Sequence, residues 1–366
     1  MLTVVQCVNT LDVGGVEQLA LTLARQFRGD GFQTLICCIE DRGRLAEQAE
    51  REGIPVHALC LEQQGKWRGL RALCRLLRQH HPVVLHTHNF KPFYYGALTR
   101  LLGAADVHVQ TRHGAFTKTH RAHWRYRWMR RWADALVTVS EDGRHRLSQQ
   151  SGLAVDKIGL IPNGVDTDQF CPATDKAAVR RQLGLPATCP AIVTAARFSP
   201  EKDLGTLLRA FAAVRQSLPD TELWLLGDGA ERANLEALRR ELGLGDRVRF
   251  FGARPDVRLF LQAADLFALS SVSEGLSIAL IEAIASGLPV VATDVGGNQE
   301  IINPPEAGRL VPARDPQALG HALVQVLGDS ALRHKLSQAA RKRALEKFSL
   351  ERMLQSYREL YLGKRP

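Results

Sequence analysis

Short apolar runs alternate with helix-period segments along the whole chain. Residues 2–8 are nearly continuous in apolar character, which marks a parallel strand covered on both faces. Gly14-Gly15 follows, and then apolar residues at Leu19, Leu23 and Phe27, the spacing of an amphipathic helix. The rhythm repeats as QTLICCI (strand), residues 45–51 (helix), IPVHALC (strand), residues 70–79 (helix) and PVVLHTHNF (strand). Residues 91–102 then read as helix and 107–111 as strand. ADALVTVSEDGRHRLSQQ reads as a strand entering a helix capped by Ser140.

Turn chemistry at Pro162, Asn163-Gly164, Asp166 and Asp168 interrupts this pattern. It sets a boundary between a domain at 1–168 and a second at 169–345. PAIVTAARFSPEKDLGTLLRAFAAV restarts the strand, loop and helix sequence, TELWLLGDG is another strand, and VRFFGARPDVRLFLQAADLFAL carries two more strands with a turn at 252–255. Residues 315–361 are helical and charged. Two βα-alternating halves predict an α/β protein with two doubly wound parallel sheets facing a cleft. A chain of 366 residues is long enough for both.

Composition changes little in this picture. At 45% hydrophobic and 23% charged the chain falls in the soluble globular class. No apolar run reaches the roughly 18 residues of a spanning helix, and no basic region precedes the first apolar stretch, so a cytoplasmic location is expected. The seven cysteines are scattered without C-x2-C spacing, which suits reduced, buried thiols.

Charge adds more. Of the net +10, a surplus of 8 lies in residues 1–165, with 22 Lys and Arg against 14 Asp and Glu. Residues 112–131 hold seven bases and no acid, interleaved with Trp124, Tyr126 and Trp128. Such a segment suits anionic lipid headgroups at the inner face of a membrane. Alternatively, Trp124, Trp128 and Trp132 form one buried stripe with a solvated basic face opposite. No nucleic-acid motif accompanies the charge, and no nucleic-acid partner is expected.

Candidate chemistry concentrates at 270–297, SSVSEGLSIALIEAIASGLPVVATDVGG. A loop with Glu274 enters an apolar helix with Glu282, and Ser277 suits the N-cap. Eight positions separate the acids, which places the first before the helix and the second about one and a half turns in. The backbone N–H groups of Gly275, Leu276 and Ser277 would favour a diphosphate. Arg197 and Lys202, five apart before another helix, are suited to the same anion as a fork and a point charge. His113, followed by Gly114 at a strand end, and His86 and His88 are ligand-edge candidates. For the latter pair hydrogen bonding to an acceptor, or plain structure, is preferred to a metal, since no third ligand follows at a familiar interval.

The strings GGVE, RHG, IPNGVD, the R-x4-K pair and the E-x7-E segment occur in the order found in glycosyltransferase family 4, and the chain resembles that family over nearly its whole length. The resemblance implies a GT-B fold in which a C-terminal helix at 346–366 returns to the first domain. It also implies roles. Glu274 contacts the donor sugar, Glu282 holds the ribose hydroxyls, Arg197 and Lys202 neutralise the leaving diphosphate, and His113 touches the sugar at the reacting centre. Gly14 and Gly15 lie opposite the donor phosphates, Gly227 near the nucleotide, and Gly252 in the turn that takes the base. The family's usual Gly-Phe-Gly after the first glutamate is here Gly275, Leu276 and Ser277, and the glycine that often follows the lysine is Asp203.

The activity implied is transfer of a sugar from a UDP-, GDP- or ADP-sugar to the hydroxyl of a glycan, a lipid-linked sugar or a small molecule. The family retains anomeric configuration, and no cofactor or metal is expected. Two readings stand beside it: another GT-B nucleotide-sugar enzyme such as a 2-epimerase, and a non-catalytic nucleotide-sugar-binding protein at a membrane surface.

Overall fold

The computed structural model describes residues 1–12, 14–114, 120–254, 256–302 and 305–364. Packing divides the chain into one unit of Met1–Pro162 with Met353–Pro366 and another of Asn163–Arg352. These limits lie a few residues from the expected ones at 168 and 345.

The first unit holds strands β1 (Thr3–Val8), β2 (Gln33–Cys38), β3 (Val56–Ala58), β4 (Val83–His88), β5 (Val107–Arg112), β6 (Ala135–Thr138) and β7 (Gly159–Leu160). They form a sheet in the order β3-β2-β1-β4-β5-β6-β7, and every pairing in it is parallel. Both faces are covered, which is why β1 reads as an unbroken apolar run. Val5, Cys7, Leu35, Cys37 and Leu85 pack with Leu73 and Leu77 of the helix Lys66–Gln79. On the other face Val8, Ile36 and Cys38 pack with Leu21 and Ala24 of the helix Gly15–Gly29.

The second unit has β8 (Ala191–Ala195), β9 (Glu222–Leu226), β10 (Val248–Gly252), β11 (Leu266–Leu269), β12 (Val290–Thr293) and β13 (Arg309–Val311). Their order, β10-β9-β8-β11-β12-β13, repeats the order of the first six strands of the first sheet. The sheet is parallel throughout. In each unit the strand order reverses once, between β1 and β4 and between β8 and β11. Loops leaving the carboxyl ends of those strands diverge there and leave room for a ligand.

The basic segment corrects one sequence reading. Among the described side chains of the helix His120–Met129, Tyr126 and Met129 are buried, whereas Trp124 is 71% and Trp128 45% exposed. The tryptophans therefore do not form a buried stripe. Packing against Phe93 and Leu147 selects Tyr126 and Met129 and rotates Trp124 and Trp128 outward, while Trp132 packs half-buried against the same cluster. Lys118 of the same basic segment lies outside the described residues.

Candidate functional site

At the reversal point of the second sheet, the loop after β8 meets the loop after β11. Pro200 opens a 3-10 turn, Pro200–Lys202, and Asp203 closes it at φ 43°. Asp tolerates the left-handed region better than most residues, so it serves at this position without a glycine. Its carboxylate also accepts from the Thr206 hydroxyl at 2.8 Å and caps the helix Leu204–Ser217. The turn is tied to the neighbouring loop by Ser270 Oγ donating to the Lys202 carbonyl, 2.9 Å, and by Val272 N donating to the Glu201 carbonyl, 2.9 Å.

These ties bring Lys202 and Glu274 together. Lys202 Nζ lies 2.6 Å from Glu274 Oε1, and Ser271 Oγ donates to the same oxygen at 2.6 Å. The Glu274 side chain is only 9% exposed and the Lys202 side chain 22%. A carboxylate so enclosed needs such partners. Behind it Gly297 N donates to the Gly275 carbonyl at 2.7 Å. A Cβ on Gly296, at φ 52°, would lie 2.0 Å from the Glu274 carbonyl oxygen. The Gly-Gly turn after β12 therefore braces the glutamate's loop at a distance that a side chain would forbid.

The helix Ile278–Ala285 starts where Ser277 caps it, its side chain accepting from Leu280 N. Leu276 is buried and its carbonyl accepts from Asn163 Nδ2 at 2.9 Å. What Leu276 can offer a ligand is its backbone N–H. Glu282 lies one and a half turns into this helix and is half-buried. Burial of its carboxyl, with Asp256 adding like charge, pushes its pKa up to about 8. Arg197 is exposed on the loop after β8. Gly227 and Gly229, at φ 140° and 158°, press on the backbone of that loop. Cβ atoms there would lie 1.8 Å from the Ala196 carbonyl oxygen and 2.3 Å from that of Phe198. Gly227 N also donates to the Gly252 carbonyl at 2.8 Å, and beside Gly252, at φ 74°, a Cβ would meet nothing within 4 Å.

In the first unit Gly14 is an extended N-cap without a side-chain bond and Gly15 the first helical residue. His113 follows β5, its N–H donating to Asn89 Oδ1 at 3.2 Å. It heads a buried chain of hydrogen bonds. His113 Nε2 lies 2.9 Å from His88 Nδ1, and His88 Nε2 2.8 Å from Gln6 Oε1. Gln6 Nε2 donates to the Tyr361 hydroxyl at 3.2 Å, which lies 2.6 Å from His86 Nδ1. His86 Nε2 continues to Thr111 Oγ1 at 2.8 Å, 3.1 Å from the Tyr357 hydroxyl.

All three imidazoles are held neutral. Burial lowers His86 and His88 well below the usual value, and burial together with Arg112 lowers His113 to about 3. A neutral ring carries one N–H. Gln6 Oε1 can only accept, so His88 carries its proton on Nε2 and accepts at Nδ1. His113 must then donate from Nε2, which leaves its Nδ1 as an acceptor for a ligand hydroxyl. Tyr361→Phe would strip the chain of one donor and one acceptor. The expected result is a loss of about 1–3 kcal/mol in folding stability, read by urea denaturation; an unchanged midpoint would show that the hydroxyl carries none of this order.

Gln6, Ser271 and Tyr361 were not singled out from the sequence. A glutamine inside an otherwise apolar strand is a readable signal for Gln6. Nothing local distinguishes Tyr361 on its helix, since its partners lie hundreds of positions away.

Two parallel sheets of the same strand order, each with its candidate residues at the reversal edge, define the GT-B class of α/β protein. Sequence comparison supplies the family: residues 13–169 match the model described as Glycosyltransferase Family 4, and residues 175–343 match Glycosyl transferases group 1. Each half thus matches a glycosyltransferase model, and the chain is similar to GT-B glycosyltransferases of the family 4 type. It is similar to the lipopolysaccharide core biosynthesis glycosyltransferase LpsE of Rhizobium meliloti, 37% identical over 57% of this chain and 58% of that protein. It is also similar to the Escherichia coli UDP-Gal:alpha-D-GlcNAc-diphosphoundecaprenol alpha-1,3-galactosyltransferase, 27% identical over 81% of this chain and 79% of that one. The match to LpsE thus spans less than two thirds of that relative. Among solved structures, Anabaena HepE in complex with UDP-glucose superposes with a TM-score of 0.86 at 22% identity, over 99% of each chain. At that identity the likeness is one of fold.

Proposed function

We propose that the chain transfers a sugar from a nucleoside-diphosphate sugar to an acceptor hydroxyl on a glycan or lipid-linked sugar. The observation that carries this reading is the Lys202–Glu274 pair, 2.6 Å apart at the reversal point of the second sheet. A cation and a carboxylate in contact there suit opposite ends of one donor. Lys202, with Arg197, meets the charge that grows on the departing diphosphate, and Glu274 accepts from sugar hydroxyls. Glu282 takes the ribose hydroxyls, the N–H groups of Gly275, Leu276 and Ser277 face phosphate, and Gly227 and Gly252 border the nucleotide. On the first unit, Gly14 and Gly15 open an uncapped helix N-terminus, and His113 offers Nδ1 to a sugar hydroxyl.

The bond between the anomeric carbon and the diphosphate oxygen breaks, the bond to the acceptor oxygen forms, and the acceptor proton passes to the departing phosphate. Retention of configuration and independence from metal are part of the proposal and rest on resemblance to the family. The names of the relatives and the UDP-glucose bound to HepE support a nucleotide-sugar donor.

A screen of UDP-, GDP- and ADP-sugars by thermal unfolding tests this directly. The matching donor at a hundred times its Kd should add about 2.7 kcal/mol of stability, and product should form equally with EDTA present. Stabilisation by none of them would overturn the reading. Epimerised sugar nucleotide from donor alone would favour an epimerase, and stabilisation without turnover on any acceptor would favour a binding protein.

A further inference from the structure

Among the described residues the exposed large aromatic side chains are Trp67, Trp124 and Trp128, at 77%, 71% and 45%. All three lie on two helices. Trp67 is the second residue of the helix Lys66–Gln79, and the other two sit one turn apart on His120–Met129. Both helices pack against Phe90–Leu101, which runs between them in one layer over the first sheet.

The same two helices carry a cluster of exposed bases. Lys66–Gln79 has five bases and no acid, with Leu70, Leu73, Leu76 and Leu77 buried beneath. Lys66, Arg68, Arg71 and Arg75 are exposed, and among the described residues none of them has an ion-pair partner. On the second helix and the turn after it, Arg127 and Arg131 are likewise exposed without a carboxylate among the described residues. Elsewhere in this unit several bases are neutralised locally: Arg25 by Glu52, Arg42 by Glu50, Lys91 by Glu40 and Arg100 by Asp134.

We propose that these two helices form a docking face for the surface of an anionic lipid bilayer. The apolar side of the helix Lys66–Gln79 is already used in the core, so the helix lies on the membrane and does not enter it. Arginines meet headgroup phosphates, and indole rings, apolar with one N–H, sit at headgroup depth. Protruding tryptophans favour a bilayer over nucleic acid, which asks for a groove or a stacking platform. The proposal does not depend on the transferase reading.

Sedimentation with vesicles tests it. The full chain should pellet with phosphatidylglycerol vesicles, stay in the supernatant with phosphatidylcholine alone, and be released by 0.5 M salt. Roughly fivefold weaker partitioning per base removed predicts about a hundredfold for Arg68→Gln, Arg71→Gln and Arg75→Gln combined. Trp67→Ala with Trp124→Ala should also weaken binding and reduce the blue shift of indole fluorescence on anionic vesicles. Melting curves and stabilisation by donor should stay as in the parent chain. Equal binding to neutral vesicles, no binding to either, or salt-sensitive binding to single-stranded RNA without vesicle binding would each overturn the proposal. The parent chain alone decides between these, whether or not the variants fold.

Discussion

Lys202→Ala is expected to lower the rate of sugar transfer on the order of 10²–10³-fold with the fold intact. The lysine is held by Glu274 at 2.6 Å, which places its charge where a departing diphosphate would develop its own. Arg197 lies exposed on the same loop, where water screens its charge, and should contribute less. Glu274→Gln keeps an acceptor for Ser271 and loses the charge, so it should also depress turnover but retain donor binding better. Steady-state kinetics with the donor found by thermal screening would decide. Turnover at the level of the parent chain in Lys202→Ala would remove the pair from the chemistry. Truncating Lys202 also leaves a nearly enclosed carboxylate short of a partner, costing about 1–3 kcal/mol, so melting curves must accompany the kinetics.

Glu282 should make stability fall with rising pH. Its folded pKa of about 8 lies above the roughly 4.3 of an unfolded glutamate, so the folded chain keeps a proton that the unfolded chain releases between those values. The contribution is complete below the unfolded pKa and is lost as pH climbs through about 8. Glu282→Gln, neutral at every pH, should match the parent chain near pH 4 and exceed it near pH 8 by about 2–4 kcal/mol, several degrees in melting temperature. Parallel melting curves across pH 4–9 would refute this. A nucleotide sugar whose ribose hydroxyls donate to the carboxylate would offset the cost, so donor should stabilise the parent chain more at pH 8 than it does Glu282→Gln.

Much of the fold was legible because each strand is covered on both faces. Residues 2–8 and QTLICCI could be read as strands without alternation, and Gly14-Gly15 as the point where the first helix starts. The Ser140 and Ser277 caps were legible too, since an N-cap is a local contract between one hydroxyl and the N–H three residues on. Long-range outcomes were not. The spacing of Trp124, Trp128 and Trp132 fits a buried stripe, and only packing against Phe93 and Leu147 shows that Tyr126 and Met129 occupy that face. In the site, motif spacing named Lys202 and Glu274. The hydroxyl that joins them, Ser271, and the polar chain behind His113 depend on contacts between distant segments that no local pattern encodes.

The first unit is discontinuous: residues 163–352 are spliced into it, and its last stretch begins at Met353. During synthesis the second unit is contiguous and can fold as soon as it emerges. The first must wait with Gln6, His86 and Thr111 lacking the hydroxyls of Tyr357 and Tyr361. A ribosome that stalls or terminates near position 352 would therefore release a chain with one finished lobe and one incomplete lobe, a natural substrate for chaperones and proteases.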